Sequence, residues 1–221
     1  MTTYDRRSLL AGAVALTGLG AITACGSGNK KQAPLAELGP SSSANGLHGT
    51  SLNRPFLEPA VTLTDTAGKP FNLLTGTREK AITLVFFGYT HCSDVCPTTM
   101  ADIAAALRRL KPTVRKRIAT VFITTDPWRD KPAVIRSWLR PFDPSFIGLT
   151  GPFPLIQRAA RQVAISVIEP KQRTGNYEVT HGAEVLVFTP DRLARLIYPP
   201  GVLPEEYAAD LPKLVATADR Q

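Results

Sequence analysis

Between Ala81 and Tyr89 the chain reads AITLVFFGY, nine residues without a charge and rich in β-branched and aromatic side chains. A run this short, with no polar alternation, has no face to give to solvent, so it predicts a strand covered on both sides at the centre of a sheet. The residues that follow supply the cover. TTMADIAAALRRL carries apolar residues at helical spacing and ends in arginines, where the helix dipole favours cations. RIATVFITT reads as a second buried strand and FIGLT as a third, shorter one. DPWRDKPAVIRSWLR and PLIQRAARQVA read as helices, the first with Asp130 as the expected N-cap and Pro132 in its opening turn.

The flanks add antiparallel elements. AVTLTD and PFNLL, around the turn Ala67-Gly68-Lys69, open the folded part as an N-terminal β-hairpin. VTHGAEVLVF and LARLIY flank Thr189-Pro190-Asp191-Arg192 as a closing hairpin, and EEYAADLPKLVATA is a terminal helix that Pro212 is expected to interrupt. Strands alternating with helices, closed by a hairpin and a helix, predict an α/β fold of three layers, α/β/α, with a mixed central sheet.

Ahead of this domain stands a segment of another kind. Arg6 and Arg7 precede an apolar stretch from Leu9 to Ile22, about 14 residues, which suits the core of a signal peptide and is short for a bilayer span. DRRSLL resembles a twin-arginine export motif, and ITAC resembles a lipobox, with Cys25 the residue that would be acylated. The expected organisation is a signal peptide over 1–24, a lipidated Cys25 and flexible tether over 25–50, and the folded domain over 51–221. The tether, GSGNKKQAPLAELGPSSSANG, is small and polar and reaches on the order of 25 Å. Such a chain would sit lipid-anchored on the extracytoplasmic face of the cell membrane. The net charge of +8 comes from basic residues scattered through RRL, VRKR and RSWLR without aromatic interleaving, which argues for a solvated face and against nucleic acid as a partner.

With Cys25 assigned to lipid, Cys92 and Cys96 remain of three cysteines and act as a pair. Pro97 fits the first turn of a helix, so the helix starts near Cys96 and Cys92 lies in the loop at the C-terminal end of the central strand. The free amides and dipole of that helix end should ease ionisation of either thiol. A disulfide across four positions closes a tiny loop and would restrict the unfolded chain little, which weighs against a purely structural staple. A redox couple and a soft-metal site both stay open; two sulfurs and one imidazole would suit a three-coordinate copper(I) ion. Of the three histidines, His91 adjoins Cys92 and neighbours in sequence seldom aim at one centre. His48 falls in the tether, where a solvated role is expected, and His181 stands just before EVLVF.

Three stretches in order, FFGYTHCSDVCPTTM, TTDPWRD and NYEVTHGAEVLVF, resemble the Sco/SenC family from about residue 55 to the C-terminus. The resemblance implies a thioredoxin-like fold and copper, as Cu(I) or Cu(II), held by Cys92, Cys96 and His181. It implies delivery of that copper to the copper-bearing subunit of cytochrome c oxidase while the binuclear centre is assembled, with a copper donor or thiol reductant as further partner. Some members of the family instead act on that target as thiol-disulfide reductases, in which case Cys92 and Cys96 are the redox pair. A peroxidase-like use of one low-pKa cysteine is a third option on such a fold. The same resemblance puts His181 in the loop that carries a cis-proline in thioredoxins, above the two sulfurs. It makes Asp126 a residue that orients ligands from outside, against the plainer role of forming the turn before Pro127. The chain departs from the family at Ser93, where proline is usual, and at Thr180-His181-Gly182, where Asp-His-Ser is usual, so an acceptor beside the histidine is expected to be missing.

Overall fold

In the computed structural model of the chain, residues 46–220 are described. The expected signal peptide, the lipidation site at Cys25 and the tether as far as residue 45 lie outside the described residues. The elements are β1 (Thr50–Leu57), β2 (Thr62–Asp65), β3 (Pro70–Asn72), α1 (Leu73–Gly76), β4 (Ile82–Gly88), α2 (Val95–Arg109), α3 (Pro112–Arg115), β5 (Ile118–Thr124), α4 (Pro132–Leu139), β6 (Ile147–Thr150), α5 (Phe153–Gln162), β7 (Val185–Phe188), β8 (Leu193–Tyr198) and α6 (Pro204–Ala218). They build one mixed sheet in the order β1-β8-β7-β4-β5-β6-β2-β3.

The apolar run over β4 behaves as its composition demands, with all seven strand residues buried. It pairs in parallel with β5, register Ile82 to Ile118 through Gly88 to Thr124, and antiparallel with β7, Phe86 facing Val185. Alternate side chains go to opposite layers. Leu84 and Phe86 join Met100, Ile103, Ile135, Tyr207 and Leu211 from α2, α4 and α6, while Val85 and Phe87 join Phe153, Ile156 and Ala160 of α5. The three layers follow directly from a strand with no polar face. Both expected hairpins form: β2 pairs β3 at one edge of the sheet, and β7 pairs β8.

Three expectations need correction. The folded part opens earlier than the first hairpin, at β1, which pairs with β8 from Thr50 opposite Ile197 to Leu57 opposite Leu193 with a register shift between Ser51 and Phe56. This is an edge strand with one buried residue, Leu52, and with Pro55 in it, so its pattern lacks the apolar alternation that marks a strand. His48 is not a free tether residue: its backbone N–H donates to Asp210 Oδ2 at 2.6 Å and its Nδ1 lies 2.9 Å from Asp210 Oδ1. Pro212 does not interrupt the last helix, since α6 runs through it. Tyr207, Leu211 and Val215 fall on one buried face at helical spacing, and their burial on both sides of the proline outweighs the one missing backbone hydrogen bond.

Candidate metal centre

The parallel strands β4 and β5 end together, and the loops that leave their C-terminal ends carry the two thiols and the acidic TDPWRD stretch. Cys92 lies in the loop before α2, its amide donating to Tyr89 O at 3.2 Å, and Cys96 sits in the first turn of α2. Their exposures differ. Cys92 is half-buried, whereas Cys96 is fully buried beneath it, and the Cys96 amide points at Cys92 Sγ from 3.5 Å. Both are free thiols. Gly88 makes room for this packing: a Cβ there would stand 2.9 Å from Cys96 Sγ and 2.6 Å from the Phe86 ring.

His181 reaches the thiols from 85 residues away in sequence, its Nε2 lying 3.5 Å from Cys96 Sγ. It is held by a short ribbon in which Val167 bridges His181, Ile168 N donates to Thr180 O, and Gly182 N donates to Ser166 O. The ring stands edge-on to Tyr89 and Phe86, with centroids 5.4 and 6.2 Å away. Its Nδ1 lies 2.7 Å from the carbonyl oxygen of Gly182. A carbonyl can only accept, so the neutral ring carries its proton on Nδ1 and turns the Nε2 lone pair toward the sulfur. The acceptor expected to be missing beside His181 is therefore supplied by the backbone. One ligand atom from each of Cys92, Cys96 and His181 lies within 4.8 Å of the other two, the only such trio of Cys, His and acidic side chains among the described residues.

The electrostatics correct one expectation. Burial pushes the Cys96 thiol well above the ordinary cysteine range, and nearby Cys92 pushes the same way, against the opposing contact with the Tyr89 backbone. At this position loss of solvation outweighs the helix end. A metal ion would reverse that balance, since a coordinated thiol ionises outright. The site opens on a shallow depression of about 320 Å³ lined by Tyr89, Cys92, Asp94, Glu178 and His181 among others.

The other candidates are placed as follows. His91 is half exposed and turns its Nδ1 to Thr90 Oγ1, at 3.1 Å, not to the thiols. Asp126 is fully buried and belongs to no ligand cluster; it accepts from Tyr177 Oη at 2.9 Å and pairs with Arg129. Asp130 is not the N-cap of α4, a position that Lys131 fills. Its carboxylate turns inward to accept from Thr90 N (2.9 Å), Thr90 Oγ1 (2.6 Å) and Thr124 Oγ1 (2.6 Å). Sequence reasoning misses the roles of Asp130, Arg129 and Tyr177 because each has a partner 40 or more residues away, and that of Gly88 because its need for space arises only once Cys96 packs beneath it; the density of charge in TDPWRD is the one local signal.

Comparison with known proteins agrees with this geometry. The SCO1/SenC family model matches residues 50–216. Protein SCO1 homolog 1 of Arabidopsis thaliana mitochondria is 32% identical over 132 residues, 56% of this chain and 40% of that protein. The match covers less than two thirds of the length of the leading curated relatives. Bradyrhizobium japonicum ScoI, solved with copper bound, superposes with a TM-score of 0.60 at 33% identity, covering 73% of this chain and 98% of that one. Apo Sco1 of Thermus thermophilus superposes with a TM-score of 0.64 at 30% identity, covering 81% and 99%. The fold is thioredoxin-like, and the chain, matched by the family model from β1 into α6, belongs to the SCO1/SenC family.

Proposed function

We propose that this protein is a copper metallochaperone, anchored to the extracytoplasmic face of the membrane through Cys25, that delivers copper to the copper-bearing subunit of cytochrome c oxidase. Cys92 and Cys96 bind as thiolates and His181 completes the site through Nε2, with copper as cargo. The observation that carries this reading is the meeting of two sulfurs and an imidazole nitrogen within 4.8 Å, with the other ring nitrogen, Nδ1, 2.7 Å from the Gly182 carbonyl oxygen. Soft thiolates with one imidazole suit copper(I), and three donors do not complete a zinc site. The copper-bound Bradyrhizobium relative supports the same assignment. Asp126 orients the site from outside through Arg129 and Tyr177.

A second reading rests on the unequal exposure of the thiols. Half-buried Cys92 faces the depression and could attack a target disulfide as a thiolate, forming a mixed disulfide and releasing one target thiolate. Cys96 would then resolve it, leaving the target reduced and this chain oxidised. Pure dithiol exchange has no use for His181, so copper(I) titration separates the two. Reduced protein should bind one copper(I), His181→Ala should weaken binding by more than about 100-fold, beyond the effect of losing an outer partner, and His48→Ala should leave affinity unchanged. Equal affinity in the two variants would reject the ligand assignment, and copper-independent reduction of an oxidised oxidase fragment by both would favour the second reading.

A further inference from the structure

The thiol loop and the imidazole loop do not hold each other in place through the ligand atoms, which touch only across 3.5 Å between Cys96 Sγ and His181 Nε2. Both are instead fastened to one short segment. At its far end Asp130 receives the amide and the hydroxyl of Thr90, two residues before Cys92. At its near end Asp126 receives the Tyr177 hydroxyl, four residues before His181. Arg129 fills the space between: its Nε donates to Asp126, its Nη2 donates to Tyr177 O at 2.9 Å, and its guanidinium lies 3.5 Å from the centroid of the Tyr177 ring. The next side chain out repeats the pattern, with the Arg173 guanidinium 4.0 Å from the Trp128 ring.

The segment is itself rigid. Asp126 N donates to Thr124 Oγ1 at 2.9 Å, Asp130 N donates to Asp126 O at 2.9 Å, and Thr124 Oγ1 donates to Asp130, so the whole turn is tied to the end of β5. Asp126 and Asp130 are both fully buried, and the Arg129 side chain is 17% exposed, which keeps these charge-assisted bonds out of competition with water. Between α5 and β7 the ribbon at Val167 and His181, with buried Val167 and Val179, anchors the two ends of the His181 loop, and the Asp126–Arg129–Tyr177 contacts are what fasten the stretch just before His181 to the end of β5.

We infer that the segment from Asp126 to Asp130 is a bracket that sets the separation between the thiol pair and the imidazole, with Arg129 and Tyr177 as positioning residues for His181. The inference rests on the proposed ligand set and adds to it what holds the third ligand in reach. Released from the bracket, the loop from 169 to 180 would carry His181 away and leave a two-sulfur site on an otherwise intact domain.

The test uses the full chain with copper(I) alone, competed against a chromogenic copper(I) chelator, together with X-ray absorption to count nitrogen and sulfur donors. Arg129→Ala should weaken binding by about 100-fold, the upper end for loss of an outer partner and close to the loss in His181→Ala, and should remove the nitrogen donor from the spectrum. The double variant Arg129→Ala/His181→Ala should bind as His181→Ala does, because the bracket acts only through the ring. In the metal-free chain, Tyr177→Phe, which removes a single oxygen, should speed amide exchange at Ile168 and Gly182 about fivefold, the loss of one hydrogen bond, while β4 and β5 stay protected. Wild-type affinity with the nitrogen donor retained in Arg129→Ala, additive effects in the double variant, or unchanged exchange in Tyr177→Phe would each overturn the bracket. Should His181→Ala bind as tightly as wild type, the ligand set and the bracket fail together; should His181→Ala weaken binding while Arg129→Ala does not, the bracket alone fails.

Discussion

Asp130 and Asp210 are both completely buried carboxylates, yet they are solvated by different means. Asp210 lies on α6 and gathers the amides of His48 and Gly49, the His48 ring, the Tyr198 hydroxyl at 3.3 Å and, more distantly, Lys213 Nζ at 3.9 Å. Burial, with Asp210 adding to it, pushes the Tyr198 phenol far above its ordinary range, so that group stays a donor. Asp130 takes its hydrogen bonds from Thr90 and Thr124 instead, with His91 Nδ1 farther off at 3.7 Å, and burial holds it above the ordinary carboxylate range despite those bonds. One carboxylate gathers backbone amides and the His48 ring, with Lys213 at 3.9 Å, and fastens the segment that leads into β1. The other has hydroxyls and an amide and spaces two functional loops. Their removal should therefore be felt in different measurements.

The largest effect should come from Asp210→Ala, which leaves a buried phenol, two amides and an imidazole without their acceptor. Breaking such a buried arrangement costs about 3–5 kcal/mol, read as a lower urea midpoint at unchanged slope, while copper(I) affinity stays at the wild-type value. His48→Ala removes one of those partners and should cost about 1 kcal/mol. A loss below that in Asp210→Ala itself would mean that α6 holds β1 by apolar packing alone.

Asp130→Asn reverses the pattern. The amide keeps the shape but offers a donor where two hydroxyls and an amide already donate, so stability should fall by about 1–3 kcal/mol. Copper(I) affinity should fall with it, by about tenfold, because Thr90 and with it Cys92 lose their reference point. If Asp130→Asn loses stability and keeps affinity, the two carboxylates are equivalent structural anchors and the contrast drawn above disappears.

These two acids also mark what the sequence makes legible. β4 and β5 are readable because both their faces are buried, so seven residues in a row repeat the same message in each. β1 is not, because an edge strand with one buried side chain leaves no period to find. The thiols are readable from C-x-x-x-C-P and the helix start. His181 can be singled out by elimination and by resemblance, but nothing local says that its Nε2 arrives 3.5 Å from Cys96. Asp130 reads as a helix cap because the capping rule looks at its own neighbours, whereas its real partner, Thr90, is 40 residues away. Charged residues that serve the tertiary fold leave no periodic trace.

Gly88 offers a smaller test that touches the metal end without touching a carboxylate. In Gly88→Ala the new methyl must displace Cys96 Sγ or the Phe86 and Phe122 rings, which lie 2.9, 2.6 and 3.1 Å from its Cβ. Overpacking of this kind costs about 1–3 kcal/mol. Of the three groups Cys96 Sγ is a single atom at one rotatable bond, whereas the rings are locked in the core, so the copper–sulfur distances from X-ray absorption should change in this variant and stay fixed in His48→Ala. An unchanged sulfur shell would mean that the aromatic rings move instead.

The smallest effect concerns a third carboxylate, which sharpens the contrast by its sign. Burial acts to raise Asp143, but donation from Ser145 N at 2.9 Å and Ser145 Oγ at 2.7 Å, with Arg115 at 2.7 Å, outweighs it and holds the group below the usual carboxylate range. A carboxyl depressed in the folded state stabilises above its unfolded value of about 3.9 and loses that contribution as pH falls through the lower folded value. Asp130 is raised, so its contribution runs the other way: full below about 3.9 and lost as pH climbs through the folded value. Because Arg115 is 40% exposed, solvent screens the Asp143 pair, and Asp143→Asn should cost about 0.5–1 kcal/mol at pH 7. Unfolding free energies of each variant relative to wild type, followed from pH 7 down to pH 3, should therefore converge for Asp143→Asn and diverge for Asp130→Asn. Parallel curves would show that hydrogen-bond geometry, not charge, is what both acids contribute.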